Sequence, residues 1–204
     1  MKFILGLKVN MTQIFDEKGI VTPVTVLDAG PMVVTQVKTV ATDGYNAVQV
    51  GFGSKSAKNI NKPMTGHLKG LGNFRYVQEF RKADDSAFDL KVGDKIDLNT
   101  FVLGDVVVVS AISKGRGFQG VIKRHGFKGG PRSHGQKHSE RAPGSIGAVW
   151  PERVLKGKRM GGRMGADRVT VPNLKIMQID TENNQLYVSG AIPGRKGTLV
   201  EVVA

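Results

Sequence analysis

Asp105-Val106-Val107-Val108-Val109-Ser110-Ala111-Ile112 runs directly into Ser113-Lys114-Gly115-Arg116-Gly117-Phe118-Gln119-Gly120. Four valines in a row predict a strand buried on both faces, as inside a barrel or between layers. The residues that follow alternate cations with glycine and keep neither a helical nor a strand period. From residue 114 to residue 168 there are 14 Lys and Arg against 3 Asp and Glu, so these 55 residues hold +11 of the formal net charge of +13. They also hold 13 of the 27 glycines, and only 14 of them are apolar. Ordering backbone costs roughly 1–2 kcal/mol per residue, more than so few apolar side chains offset by burial against one another. The ordering energy must come from outside, and cation density on flexible backbone selects a polyphosphate. The stretch reads as an arm that enters RNA.

On either side of it, short β-rich runs separated by turns dominate. Residues 22–28 (TPVTVLD), 33–40 (VVTQVKTV) and 46–52 (NAVQVGF) read as strands. Asp43-Gly44 is a tight-turn signal between the last two, because glycine supplies the positive φ of a hairpin loop, and Glu17-Lys18-Gly19 does similar service earlier. Residues 92–98 and 105–112 follow, then 169–171, 174–180, 186–189 and 199–203, with Thr181-Glu182-Asn183-Asn184 as a hairpin loop. Many short strands at this spacing predict a closed or nearly closed antiparallel barrel. Two excursions interrupt it. Residues 53–82 contain a helical patch over 63–71, with Pro63 in its first turn, and a further strand over 75–80. The other excursion is the basic stretch, far longer than the ~15 residues beyond which a loop is usually functional or disordered. The expected organisation is a β body of residues 1–112 plus 166–204, with a small α+β insertion at about 53–86, and an irregular arm over 113–165.

The whole chain has 204 residues, 40% hydrophobic and 23% charged, which is ample for a core. Its pI near 10.1 favours nucleic acid or an acidic membrane surface as partner. No apolar run approaches the ~20 residues of a span, and glycine interrupts any basic amphipathic helix, so membrane is the weaker choice. The absence of cysteine excludes disulfides, thiol catalysis and Cys-ligated zinc. Met1-Lys2-Phe3-Ile4-Leu5-Gly6 is too short for the apolar region of a signal peptide, which predicts a cytosolic protein. The sequon Asn10-Met11-Thr12 is then incidental.

Several motifs compete with the RNA reading. Gly115-Arg116-Gly117-Phe118-Gln119-Gly120 fits a dinucleotide fingerprint, follows a strand, and has Glu140 about twenty residues on. That mechanism needs a helix facing the pyrophosphate, and Gly126, Gly129, Gly130 and Pro131 arrive before three turns could form. His134 and His138, with His125 nearby, invite a metal, but Arg132, Lys137 and Arg141 crowd the same stretch and oppose a dication. The histidines suit stacking on RNA or hydrogen bonding to it. Trp150, the only tryptophan, either packs on the barrel wall or meets an unstacked base. No Ser/His/Asp set or carboxylate pair stands out, so catalysis by this chain is not expected, and no cofactor is implied.

Further resemblance lies in longer blocks. Gly6-Leu7-Lys8-Val9-Asn10-Met11-Thr12-Gln13-Ile14-Phe15, Pro23-Val24-Thr25-Val26 and Val34-Thr35-Gln36-Val37-Lys38 resemble the opening segments of the ribosomal protein L-three family in its bacterial form. Ser113-Lys114-Gly115-Arg116-Gly117-Phe118-Gln119-Gly120-Val121-Ile122-Lys123-Arg124 is similar to that family's signature. Gly144-Ser145-Ile146-Gly147 and Lys156-Gly157-Lys158-Arg159-Met160 complete the likeness. It implies a mainly β fold, a translation-protein-like antiparallel β-barrel, with a long extension threading ribosomal RNA toward the peptidyl-transferase region. It also implies binding near the 3′ end of large-subunit (23S) rRNA early in assembly, beside the large-subunit proteins L-fourteen and L-nineteen, in the cytoplasmic ribosome. Two departures stand out: Val108 replaces a usual Asp or Asn, and Ala148-Val149-Trp150 lacks the glutamine that bacterial relatives can carry as a methylation site.

The expected RNA contacts follow. Arg116, Arg124, Arg132, Arg141, Arg159 and Arg163 lead for phosphate and base-plane contacts, and Lys114, Lys123, Lys128, Lys137, Lys156 and Lys158 neutralise phosphate. His125, His134, His138, Trp150, Arg153 and Arg168 complete the set. Two other readings share parts of the argument: a flavin- or nicotinamide-binding barrel oxidoreductase, from residues 115–120, and a general RNA chaperone, from the charge.

Overall fold

A computed structural model describes residues 1–16, 18–82, 86 and 88–204. The chain forms two compact units, Met1–Ile112 with Arg168–Ala204, and Ser113–Asp167. The first is mainly β, with little helix. Its strands are β1 (Phe3–Phe15), β2 (Val21–Asp28), β3 (Met32–Lys38), β4 (Ala47–Ser54), β5 (Phe74–Arg81), β6 (Lys95–Ile96) and β7 (Val106–Ile112). The inserted unit holds β8 (Phe118–Gln119) and β9 (Gly162–Arg163), and the chain returns through β10 (Arg168–Asp180), β11 (Gln185–Ser189) and β12 (Leu199–Val203).

Six strands close an antiparallel barrel in the order β1-β12-β7-β10-β11-β2. Directly paired residues share a face, and faces alternate along each strand. One row, Ile4, Val202, Val109 and Val171, points inward. The next row, Leu5, Glu201, Ser110 and Thr170, points outward. This alternation overturns the expectation for the valine run. Val107 and Val109 are fully buried, whereas Val106 and Val108 are 54% and 39% exposed. The strand is a barrel wall with one dry face, and β-branching there serves strand propensity as much as burial.

A second sheet, in the order β5-β4-β3-β6, lies against the outer face of β1. Phe3 stacks on Phe80 with ring centroids 4.3 Å apart and meets Phe88 edge-on at 6.0 Å. The amide of Leu5 donates to the sulfur of Met32 at 3.3 Å. Gln78 Nε2 on β5 donates to Glu201 Oε1 on β12 at 2.9 Å. That arrangement explains why Phe3, Ile4 and Leu5 are all buried: the odd positions face the sheet and the even one the barrel interior. Gly51 on β4 leaves room for the Phe74 ring, since any Cβ there would collide with it.

Several expectations are corrected. Residues 33–40 and 46–52 belong to this second sheet, not to the barrel. Asp43-Gly44 does lie in the connection between the antiparallel strands β3 and β4, with Gly44 at φ 80°, but the loop is longer and contains one helical turn (α1, Val40–Asp43) that Gly44 caps. The strand over 92–98 shrinks to Lys95–Ile96, because Leu98–Thr100 closes a 3₁₀ turn that buries Leu98. The runs 169–171 and 174–180 are one strand, bulged between Val171 and Leu174 where Asn173 adopts φ 60°. β1, thirteen residues long, was not foreseen as a strand. The helix of the insertion (α2) is confined to Lys62–His67, with Pro63 in its first turn, and β5 covers the expected strand over 75–80. Of the early turn, Glu17 lies outside the described residues; Gly19, at φ 74°, donates to the Asp16 carbonyl at 2.8 Å.

Candidate nucleic-acid interface

Within Ser113–Asp167 the two ends of the unit pair with each other. Ser113 N donates to Asp167 O at 2.8 Å, Arg116 N to Met164 O at 2.9 Å, and Met164 N to Gly117 O at 3.0 Å. Beyond them β8 pairs β9, with Phe118 opposite Arg163 and Gln119 opposite Gly162. Gly165 makes this ribbon possible: at φ 76° it leaves no space for a Cβ, which would overlap the Lys114 carbonyl oxygen. A single helical turn and a half (α3, Val121–His125) follows, ended by Gly126 at φ 72°. Val121 is the one buried residue among the described residues of this unit. Five helical residues are too few for the dinucleotide reading of residues 115–120, whose mechanism needs a helix packed on a parallel βαβ unit.

Farther along, backbone bonds are local. Gly130 N donates to Glu140 O at 2.9 Å, Gln136 N to Ser133 O at 3.3 Å, and Glu152 N to Val149 O at 3.0 Å. Irregular backbone of this kind has no repeating face, so its side chains radiate into solvent. Lys114, Arg116, Lys123, Lys128, His134, Lys137, His138, Arg141, Arg153, Lys156, Lys158, Arg159 and Arg163 are all exposed. Trp150 is 82% exposed.

Four members of the expected set have internal work. Arg124 Nη1 donates to the Met160 carbonyl at 2.8 Å, and His125 Nε2 lies 3.1 Å from the same oxygen. Both are half-buried and hold residue 160 beside α3. Arg132 Nε meets Glu140 Oε1 at 2.6 Å, though the arginine stays well exposed. Arg168 lies on β10, in the barrel unit, and grips Glu201 with both terminal nitrogens. His134 and His138 sit among exposed cations, and no cluster of three or more metal-binding side chains occurs among the described residues. Likewise, none of the described helices is long and apolar enough to cross a membrane.

One residue escaped the sequence reading. Phe118 is 80% exposed on the ribbon. The signal was an aromatic ring within a run of cations and glycine, where nothing nearby could bury it.

Fold and charge together define a class: a closed β-barrel protein with an inserted unit rich in glycine and exposed cations. A family model described as Ribosomal protein L3 matches residues 69–191. The chain is 51% identical over 204 residues to the large ribosomal subunit protein uL3 of Finegoldia magna, covering 99% of this chain and 97% of that protein. It is 52% identical over 205 residues to uL3 of Corynebacterium aurimucosum (99% and 93% covered), and 52% over 203 residues to that of Bacillus thuringiensis (98% and 95%). The chain belongs to the ribosomal protein L3 family. It is a structural, non-enzymatic constituent of the large ribosomal subunit, working in the cytoplasm.

Proposed function

We propose that this protein binds large-subunit rRNA directly, near its 3′ end, and promotes assembly of the subunit. In this reading Ser113–Asp167 is the penetrating element, directed toward the peptidyl-transferase region, and the barrel unit is the exterior anchor beside the large-subunit proteins L-fourteen and L-nineteen. The family resemblance suggests the location and the neighbours. The observation that carries the mechanism is charge without burial: the unit's exposed lysines and arginines face solvent from a backbone with one buried side chain. Backbone that can turn anywhere, with a cation every few residues, matches an irregular RNA crevice better than a regular groove.

The proposed contacts are Lys114, Arg116, Lys123, Lys128, Arg132, Lys137, Arg141, Arg153, Lys156, Lys158, Arg159 and Arg163, with His134, His138 and Trp150 at bases. Arg124 and His125 shape the unit while keeping their outer edges for phosphate. Arg168 is left out, because Glu201 already neutralises it. Engagement of about eight phosphates gives a slope of log K against log salt of roughly −6 to −7. Footprinting of the rRNA with wild type, and with a chain lacking residues 128–163, tests the division of labour. Interior protections disappear and exterior ones persist if it is right; a slope near zero, or identical footprints, refutes it. Competition by bulk RNA as effective as by the rRNA fragment marks a general condenser instead.

A further inference from the structure

We infer that the ribbon face carrying Phe118 and Arg163 is a stacking site for one unpaired RNA base, an assignment that rests on the RNA-binding reading above. Phe118 and Arg163 are directly paired across β8 and β9. Cross-strand partners share a face with Cβ atoms about 5 Å apart, so a ring and a guanidinium plane rise side by side from the same surface. The tip of the ring lies near Gly161, where an added Cβ would come within 3.4 Å of two ring carbons. The rest of the ring is open to solvent, and Phe118 is 80% exposed.

An exposed ring costs solvation unless something covers it. The occupant must be flat, apolar on its face and tolerant of dense positive charge, since Arg163 stands opposite Phe118 and Lys114 and Arg116 precede it closely in the chain. A nucleobase meets all three conditions, and its own phosphate answers the cations. Stacking needs a π face and not an edge, so the site takes any unpaired base and contributes affinity more than sequence choice. The pairing of Arg116 N with Met164 O and of Met164 N with Gly117 O holds the platform before RNA arrives. That separates it from Trp150, which stands on irregular backbone.

The test uses the full-length protein and a 3′-domain fragment of large-subunit rRNA, with affinity measured over a range of salt. Phe118→Leu is expected to weaken binding roughly 10- to 100-fold, with the salt slope of wild type, because no phosphate contact is lost. Phe118→Trp keeps wild-type affinity. Arg163→Lys retains the slope and loses several-fold in affinity, since the ammonium cannot replace a stacking plane. Wild-type affinity in Phe118→Leu, or a slope shifted as much as by removal of a lysine, overturns the site. If wild type itself binds with a flat slope, the RNA-binding reading fails instead, and the platform falls with it.

Discussion

Arg168 Nη1 donates to Glu201 Oε1 at 2.9 Å while Nη2 binds Oε2, so the last cation of the basic stretch is neutralised on the barrel wall. Gln78 reaches the same carboxylate from the second sheet, at 2.9 Å. Glu201 therefore joins β10, β12 and β5, and its side chain is only 14% exposed. Arg168→Gln is expected to lower stability by about 1 kcal/mol, since the arginine is half exposed and water competes for it. The same change leaves the salt slope of RNA binding where it was. Urea denaturation and salt titration of one variant check both.

The stack of Phe3 on Phe80 fastens the second sheet to β1, and both rings are buried. Phe80→Ala is expected to cost about 3–5 kcal/mol, as large-to-small changes in a packed core do. Phe80→Leu should recover more than half of that. Denaturation midpoints of the two variants decide it; a cost below 1 kcal/mol would mean that the sheet and barrel do not share a core.

Stability should fall in acid through Glu79. The Lys38 ammonium, 2.7 Å away, holds its carboxyl below the usual value, assisted by the Tyr45 hydroxyl. A depressed folded pKa means that the stabilisation is complete above the unfolded value of 4.5 and is lost as pH falls through the folded one. Glu79→Gln is expected to flatten the decline in urea midpoint between pH 5 and pH 3, relative to wild type. An unchanged decline would place the acid sensitivity elsewhere.

Removing Lys156, Lys158 and Arg159 together, as glutamines, is expected to reduce the magnitude of the salt slope by about 2 to 3 while leaving unfolding unaffected, because all three are exposed. Filter binding at several salt concentrations measures it. A slope equal to wild type would take these residues out of the interface.

Within the basic unit, hydrogen exchange should be uneven. The amides of Arg116 and Met164, bonded across the ribbon, exchange slowly in the free protein. Residues 128–160, with local bonds and exposed side chains, exchange fast and become protected only with RNA. Gly165→Ala removes the ribbon's protection, because its φ and the Lys114 carbonyl exclude a Cβ. Strong protection of 128–160 without RNA would sink the idea that binding supplies their order.

Sequence alone determined that charge and glycine concentrate in residues 114–168 while the rest of the chain is β-rich and nearly neutral, because composition acts without regard to partners in space. Strands such as Leu199–Val203 were legible for the same reason: period and β-branching are local. Only tertiary structure decided which strands close the barrel. Residues 33–40 and 46–52 look like barrel strands, but pairing between β3 and β4 and packing on Phe3 place them in a separate sheet. It also decided that two of four consecutive valines face outward, that Arg168 is neutralised, and that Phe118 stands beside Arg163. Each of these depends on contacts between residues far apart in the chain, and no local pattern encodes which distant partner a strand or a charge will meet.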